Sequence, residues 1–297
     1  TGQLAYNIGR LKTISRSEST VEDHAYAVKA SLAAEGIEIS PSQMRALKRG
    51  EKIETLPEAD GLMKLYRRLG NLDPADQGII GLYEEAMFPN GAPHRKARRV
   101  ASFPYPIPMH AKLEGMMRGV FHFIRASRGK LFPLSVAALA YFEIMALQPY
   151  SSLTGPLAKF LMKAVLAYEF KELAALPIEE LMNRHKKEID AAWEASLEKG
   201  DSAPFILRIL RLIDIGVKSL LKEALRSRNS GSPLVEKLLA KMEPDKFYSA
   251  QELLNLLGLK SRLGLQKNYL RPGIEARKIE MLNPLTPTDR NQKYRKA

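Results

Sequence analysis

Two apolar segments, residues 133–147 and 157–166, flank a short turn with the sequence Gln-Pro-Tyr-Ser-Ser-Leu-Thr-Gly-Pro. Apolar runs of this length, with few polar residues, are typical of buried helices. Gly155 and Pro156 end the turn and open the second predicted helix. The first N–H groups of a helix have no partner within it, so this turn can bind an anion such as phosphate.

The residues from Gln148 to Lys159 resemble the signature of the Fic (Fido) family. That signature reads His-Pro-Phe-x-Asp/Glu-Gly-Asn-Gly-Arg-x-x-Arg, and most members of the family transfer AMP from ATP to hydroxyl side chains of target proteins. The chain keeps Pro149, an aromatic residue at Tyr150, and Gly155. The resemblance therefore implies a Fic-type helical bundle whose nucleotide and phosphate loop comprises Ser151, Ser152, Leu153, Thr154, Gly155 and Lys159.

The residues that carry the chemistry of the family are replaced in this chain. Gln148 stands at the position of the general base, and an amide does not take up a proton near neutral pH. Ser152 replaces the carboxylate that holds Mg²⁺, and a neutral hydroxyl is a poor ligand for that ion. Pro156 replaces the first arginine, and Lys159 replaces the second without its bidentate fork. These changes predict that ordinary AMP transfer is lost, and ATP and Mg²⁺ are implied by the resemblance alone.

A second motif lies near the N-terminus, where residues 31–36 read Ser-Leu-Ala-Ala-Glu-Gly. This segment is similar to the inhibitory motif of the family, Ser/Thr-x-x-x-Glu-Gly/Asn. Ser31 and Glu35 are four residues apart and so share a helical face, and Gly36 suits the end of that helix. By this resemblance Glu35 reaches the active loop and pairs with Lys159.

Residues 89–108 are similar to the substrate-docking flap of the family, a small β-hairpin followed by a proline-rich turn. A hairpin of this kind aligns a target protein by strand addition. Its basic cluster, Arg95, Lys96, Arg98 and Arg99, favours an acidic partner or phosphate, or is a solvated loop.

The C-terminal residues resemble the winged helix-turn-helix domain that is often attached to Fic proteins. Ser249 and Gly258 suit the two ends of one helix, and residues 259–270 are predicted as the next. From residue 232 to 297 there are 13 Lys and Arg against 7 Asp and Glu, a net charge of +6. The recognition helix could therefore bind DNA through Lys260, Arg262 and Lys267, although such domains also bind proteins.

Composition agrees with this organisation. The 297 residues carry a net charge of +13, which favours anionic partners, and the absence of cysteine excludes disulfides and thiolate metal sites. The five histidines show no metal-ligand spacing, so no metal site is predicted. No apolar run is long enough for a membrane span, and we expect a cytoplasmic protein. The predicted parts are a helical N-terminal region (1–88), the Fic-like core (89–228) and the winged helix (232–297), joined by a polar linker at 226–233.

The sequence thus predicts a mainly α Fic-fold signalling or regulatory protein that is catalytically degenerate and acts by binding. Two alternatives stay open. One is an active or altered nucleotidyl or phosphate transferase that modifies protein hydroxyls. The other is a DNA-binding transcriptional regulator. The target protein is unknown, and a homo-oligomer is compatible with the sequence.

Overall fold

The computed structural model describes residues 2–14, 19–94, 105, 107–230, 233–259, 261–284, 286, 289 and 291–297, with the side chains of 227–230 excepted. Two compact units are present. The N-terminal unit comprises Thr1–Ile8 and Arg16–Lys218, and the C-terminal unit comprises Gly9–Ser15 and Ser219–Ala297. Most described residues are helical and the strands are short, which confirms the prediction of a mainly α fold.

The helices that begin before Lys218 are numbered in chain order, with two short 3-10 helices at Leu69–Asn71 and Lys171–Ala175. They are α1 (Gly2–Ile14), α2 (Val21–Ala33), α3 (Pro41–Arg49), α4 (Pro57–Tyr66), α5 (Gly78–Met87), α6 (His110–Ser127), α7 (Pro133–Leu147), α8 (Thr154–Glu169), α9 (Ile178–Arg184), α10 (Lys186–Lys199) and α11 (Ala203–Ser230).

Helices α7 and α8 form the centre of the N-terminal unit. Every residue of α8 from Thr154 to Ala167 is buried, so this helix is enclosed on all sides, as its apolar sequence predicts. Pro133 occupies the first turn of α7, where its missing N–H is not needed. The two helices pack along their length and hold the turn of residues 148–153 between them.

Helix α2 packs against α3, α4, α8 and α9. It begins with a capping box in which the Thr20 side chain accepts from Asp23 N–H and the Asp23 carboxylate accepts from Thr20 N–H. It ends before Gly36, whose φ of +78° is the left-handed conformation that favours glycine. This termination directs Glu35 out of the helix and towards α8.

The boundary between the units differs from the sequence prediction. We expected a polar linker over residues 226–233, but α11 continues through Ser230 and the units divide within it, at Lys218 and Ser219. The run Arg-Ser-Arg-Asn-Ser at 226–230 contains no proline or glycine, so it does not force a helix to end.

The C-terminal unit contains a small three-stranded antiparallel sheet with the order β1-β3-β2. Its core is a cluster of buried apolar residues that includes Leu238, Leu253, Tyr269 and Ile279. Its helices and strands are numbered on from α11 in chain order. They are α12 (Pro233–Lys241), β1 (Tyr248–Ser249), α13 (Ala250–Leu257), α14 (Arg262–Leu265), a π-helix (Gln266–Leu270), α15 (Arg271–Glu275), β2 (Ile279–Met281) and β3 (Lys293–Lys296).

No helix within the described residues is long and apolar enough to cross a membrane. Of the predicted β-hairpin flap, residues 89–94, 105, 107 and 108 are described, whereas its basic residues lie outside the described residues: Arg95, Lys96, Arg98 and Arg99.

Candidate functional site

The turn between α7 and α8 has an unusual backbone. Gln148 and Leu153, at its two ends, adopt φ values of 45° and 61°. Left-handed conformations at residues other than glycine cost roughly 1–3 kcal/mol each. The Thr154 hydroxyl stabilises the turn because it donates to Tyr150 C=O at 3.3 Å and accepts from Tyr150 N–H at 3.4 Å. The loop therefore has a fixed shape, although its family glycine and asparagine are replaced.

Gln148, at the family position of the general base, caps the helix before it. Its backbone N–H donates to Ile144 C=O, and its side-chain Nε2 donates to Met145 C=O at 2.8 Å. The residue is only 4% exposed. The amide thus satisfies the end of α7, and its chemistry excludes a general base at this position.

Tyr150 anchors the middle of the turn. Its hydroxyl donates to Glu84 Oε1 at 2.8 Å, and its buried ring stacks on Tyr83 with 5.9 Å between centroids. The hydroxyl of Tyr83 in turn donates to Leu153 C=O at 2.5 Å. These contacts tie both halves of the turn to α5.

Ser151 and Ser152 are exposed, and Ser151 contacts the start of the predicted flap. Ser151 N–H donates to Pro93 C=O at 3.0 Å, and its hydroxyl donates to the same oxygen at 3.2 Å. His94 forms an antiparallel bridge with Tyr150. The described end of the flap segment therefore lies against the loop.

Glu35 occupies the anion-binding end of the loop. Leu153 N–H donates to Glu35 Oε2 at 3.3 Å, and Gly155 N–H also donates to this carboxylate. A Cβ atom at Gly155 would overlap Glu35 Oε1, so the glycine makes this approach possible. Burial raises the pKa of Glu35, and the hydrogen bond from Leu153, the charge of Lys159 and the hydrogen bond from Gly155 oppose that effect. A carboxylate thus sits where the sequence predicted a phosphate.

Lys159 does not form the ion pair with Glu35 that we expected. Its Nζ donates instead to Asn183 Oδ1 at 3.2 Å, and Asn183 Nδ2 donates to Ala30 C=O at 2.6 Å. Lys159 is 4% exposed, and burial lowers its pKa to about 8, against the opposing charges of Glu179 and Glu35. The expected pairing is wrong because Asn183, on α9, binds the ammonium group between α8 and α2.

Ser31 faces a buried polar cluster and not the loop. Its hydroxyl lies 3.3 Å from Tyr66 Oη, and Tyr66 donates to Glu179 Oε1 at 2.8 Å. Glu179 Oε2 also accepts from Lys163 Nζ at 3.0 Å, and the side chains of both partners are almost fully buried. We call Ser31, Tyr66, Lys163 and Glu179 the buried polar cluster. It joins α2, α4, α8 and α9.

Sequence reasoning missed Asn183 and Glu179, but the chain contains a signal for them. Lys159 and Lys163 are four residues apart on an otherwise apolar helix, so both require polar partners once they are buried. Glu179 and Asn183 have the same spacing on α9. Matching spacings on two helices are what side-by-side packing of complementary faces requires.

His24, near the start of α2, gives a pH-dependent prediction. It is 6% exposed, and its Nε2 lies 2.7 Å from Ser19 Oγ. Burial lowers its pKa to about 4, reinforced by the charges of Lys163 and Arg67 and opposed by those of Asp23 and Glu179. The folded protein therefore holds His24 neutral at pH 7.

Below the unfolded pKa near 6.5, the unfolded chain takes up a proton at His24 that the folded chain does not, so stability falls as the pH drops. At pH 5 the expected loss is roughly 1–2 kcal/mol. Urea unfolding of the wild type and His24→Gln at pH 7.5 and pH 5 measures it. The wild type should lose stability between pH 7.5 and pH 5 and His24→Gln should not, so the difference between their free energies of unfolding should become smaller at pH 5. An equal difference at both pH values would mean that His24 does not titrate in this way.

The residues around the loop do not fit Mg²⁺ and ATP. The two N–H groups suited to a phosphate hold Glu35, and a phosphate beside that carboxylate would meet like charge. Ser152 offers a neutral hydroxyl at the predicted metal position. Among the described residues, no group of three or more His, Asp or Glu side chains could hold a metal ion.

The residues predicted to bind DNA lie in the C-terminal unit. Arg262 is exposed in α14 and Lys267 is exposed in the π-helix. Lys260 falls outside the described residues.

Comparison with known proteins identifies the fold. Residues 233–296 match the model of the Fic-like C-terminal domain (filamentation induced by cAMP protein Fic-like). The chain is similar to a Fic family protein from Desulfovibrio desulfuricans G20, with a TM-score of 0.62 and 18% identity over 100% of this chain and 96% of that one.

A second similar structure is a Fic domain containing signaling protein from Bacteroides thetaiotaomicron VPI-5482. It has a TM-score of 0.52 and 13% identity, over 74% of this chain and 97% of that chain. No curated protein sequence matches the chain. The predicted resemblance is therefore confirmed at the level of the fold: the chain has the fold of Fic family proteins, and residues 233–296 match the Fic-like C-terminal domain.

Proposed function

We propose that this protein is a catalytically degenerate Fic-fold protein of a signalling or regulatory kind, and that it acts by binding a partner protein. The observation that supports this most is the position of Glu35, whose carboxylate accepts hydrogen bonds from Leu153 and Gly155 at the anion-binding end of the loop. The N–H donors at this end of the loop therefore bind a side chain of the same protein.

The loss of activity follows from the size of the missing effects. Removal of a general base slows such a reaction about 10²- to 10⁴-fold, and removal of one preorganised donor about 10²- to 10³-fold. The effects are not additive, because the residues act as a unit. With Gln148, Ser152 and Pro156 all replaced, little acceleration of AMP transfer is left.

A binding role is compatible with the parts that remain. Pro93 and His94, at the start of the predicted flap, lie against Tyr150 and Ser151. Residues 95–99, which follow, carry four cations in the sequence. We propose that this segment recognises an acidic or extended region of a target protein by strand addition.

An AMP-transfer assay tests the proposal. The protein is incubated with ATP labelled at the α-phosphate, Mg²⁺ and a cell lysate, and incorporation of label into protein is measured. We expect no incorporation by the wild type or by Glu35→Ala, because removal of the carboxylate from the loop does not restore a base or a metal ligand.

A known AMP-transferring Fic enzyme serves as the positive control in that assay. Incorporation of label by the wild type that disappears in Gln148→Ala would contradict the proposal and support the alternative of an altered transferase.

A further inference from the structure

A cleft in the C-terminal unit lies between the last turns of α11 and the end of α15. Its volume is about 610 Å³, which is within the range of protein ligand sites. We call it the α11–α15 cleft. The polar residues that line it are Ser219, Lys222, Glu223, Arg226, Glu275 and Arg277.

Three cations of this cleft have no partner. The side chains of Lys222, Arg226 and Arg277 form no hydrogen bond or ion pair with other residues that the structure describes. Elsewhere on α11 such a cation is paired, since Lys218 Nζ donates to Asp214 Oδ2 at 2.6 Å. Lys222 and Arg226 are four residues apart, and like charges at this spacing destabilise a helix. The cleft therefore holds uncompensated positive charge.

Arg277 is fixed at the cleft by the backbone at the end of α15. Its φ of 56° is the left-handed conformation, which is strained for any residue but glycine. Arg277 N–H donates to Ile274 C=O at 3.0 Å, and Lys278 N–H donates to Gly273 C=O at 2.9 Å. A helix end with these two bonds usually has glycine at the position of Arg277. The helix end thus does not explain the arginine, and its guanidinium is available to a ligand.

Two carboxylates share the cleft without neutralising it. Glu275 pairs with Arg271 at 3.1 Å. Glu223 is exposed and forms no ion pair within the described part of the chain, although Arg226 lies three residues further along α11. A ligand of the cleft therefore needs several negative charges, together with hydrogen-bond donors for Glu223.

An extended acidic peptide meets these requirements better than a phosphate does. The cleft contains the carbonyl end of α15 and two carboxylates, whereas phosphates bind at the N–H ends of helices. In an extended chain, side chains at alternate positions share a face and lie about 6.6–6.8 Å apart. Lys222 and Arg226 are separated by a similar distance, about 6 Å along α11. The N–H groups of a peptide also supply donors for Glu223.

From these observations we propose that the α11–α15 cleft binds an extended acidic segment of a partner protein. Carboxylates at alternate positions of that segment pair with Lys222 and Arg226 on one wall. Arg277 binds a further carboxylate from the other wall, and Glu223 accepts from the peptide backbone. This inference goes beyond the proposed function, because it depends on neither the loop nor the flap.

Fluorescence anisotropy of the full chain with a short labelled peptide tests the inference. The peptide has glutamate at every second position and serine between. We expect saturable binding with a dissociation constant on the order of 10–100 µM at about 50 mM salt, and weaker binding at about 500 mM because salt screens exposed charges. A second peptide of the same composition, with its glutamates in one block, should bind several-fold more weakly.

Two substitutions in the cleft measure the contribution of its cations. Arg226→Gln and Arg277→Gly should each weaken binding about 2- to 5-fold, as expected for the loss of one exposed ion pair. Glycine prefers the left-handed conformation, so Arg277→Gly should weaken binding while the Tm of the chain stays the same or rises. A role of Arg277 in the fold alone would instead lower the Tm and leave the affinity unchanged.

The matched control is Lys237→Gln, which removes one exposed cation from α12, outside the cleft. It should change affinity less than about 1.5-fold. Absence of binding at about 50 mM salt, or equal weakening by Lys237→Gln and Arg226→Gln, would overturn the proposal. Equal affinity for the two peptides would overturn it as well. Displacement of the labelled peptide by less inorganic pyrophosphate than unlabelled peptide would identify a phosphate site in its place.

Discussion

Replacement of Glu179 by alanine is expected to lower the free energy of unfolding of the N-terminal unit by about 3–5 kcal/mol. Glu179 is fully buried and accepts hydrogen bonds from both Lys163 and Tyr66. Without it, Lys163 keeps a charge with no carboxylate beside it. Because an unpaired buried charge destabilises a protein far more than an empty site does, this substitution should lower the free energy of unfolding more than one that only leaves a cavity.

Thermal unfolding followed by circular dichroism measures this loss. For a unit of this size a change of 1 kcal/mol moves the Tm by about 2–4 °C, so Glu179→Ala should lower the Tm by roughly 6–20 °C. The matched control is Glu180→Ala, the next residue, whose ion pair with Arg184 is exposed on both sides. It should cost no more than about 1 kcal/mol.

A double substitution separates charge from packing. Lys163→Met with Glu179→Leu removes both charges and keeps apolar volume, so it should recover most of the stability that Glu179→Ala loses. If the double variant is as unstable as Glu179→Ala, the cost comes from packing and the account of the buried charge is wrong.

Lys159 provides a useful contrast one turn earlier on the same helix. It is buried like Lys163, but its hydrogen-bond partner is the neutral Asn183 and burial lowers its pKa to about 8. The folded pKa lies below the unfolded value, so at neutral pH the charged side chain opposes folding. Lys163 belongs to a stabilised pair, whereas Lys159 is kept at a cost to stability.

The position of Glu35 was predicted from the sequence, whereas the hydrogen-bond partner of Lys159 was not. The resemblance to the inhibitory motif implied that Glu35 reaches the active loop, and the structure places that carboxylate on the loop. The partner of Lys159 could not be predicted in the same way. Asn183 lies on a separate helix, and which polar side chain reaches a buried lysine depends on how α9 packs against α8 and α2.

The long apolar helices were the most predictable part of the fold. Residues 133–147 and 157–166 are predicted to be buried helices because each is a long apolar run. Helices α7 and α8 cover these two segments. The polar run at 226–230 was predicted as a linker because of its composition. Composition alone does not end a helix, and α11 continues through Ser230.

The Glu35 carboxylate at the loop is also expected to have a large effect on nucleotide binding. A phosphate oxygen placed about 4 Å from the Glu35 carboxylate would meet a repulsion of roughly 4 kcal/mol near the protein surface. Mg²⁺ would offset this in a site with a metal-binding carboxylate, but Ser152 supplies none. We therefore expect no gain in ATP affinity from Mg²⁺.

Anion binding by the variants Glu35→Ala and Glu38→Ala shows how much of the repulsion of phosphate is due to the Glu35 carboxylate. Glu38 is exposed three residues further along the chain and serves as the matched control. Glu35→Ala frees the two loop N–H groups, so weak anion binding should appear in it alone. That binding should still be independent of Mg²⁺, because no metal ligand is restored.

Isothermal titration of the wild type with ATP, with and without Mg²⁺, measures whether the loop of this Fic fold binds the nucleotide and the metal ion. We expect no saturable binding up to about 1 mM ATP in either condition, which corresponds to less than about 4 kcal/mol of binding free energy. Micromolar binding that requires Mg²⁺ and is abolished in Lys159→Ala would contradict it.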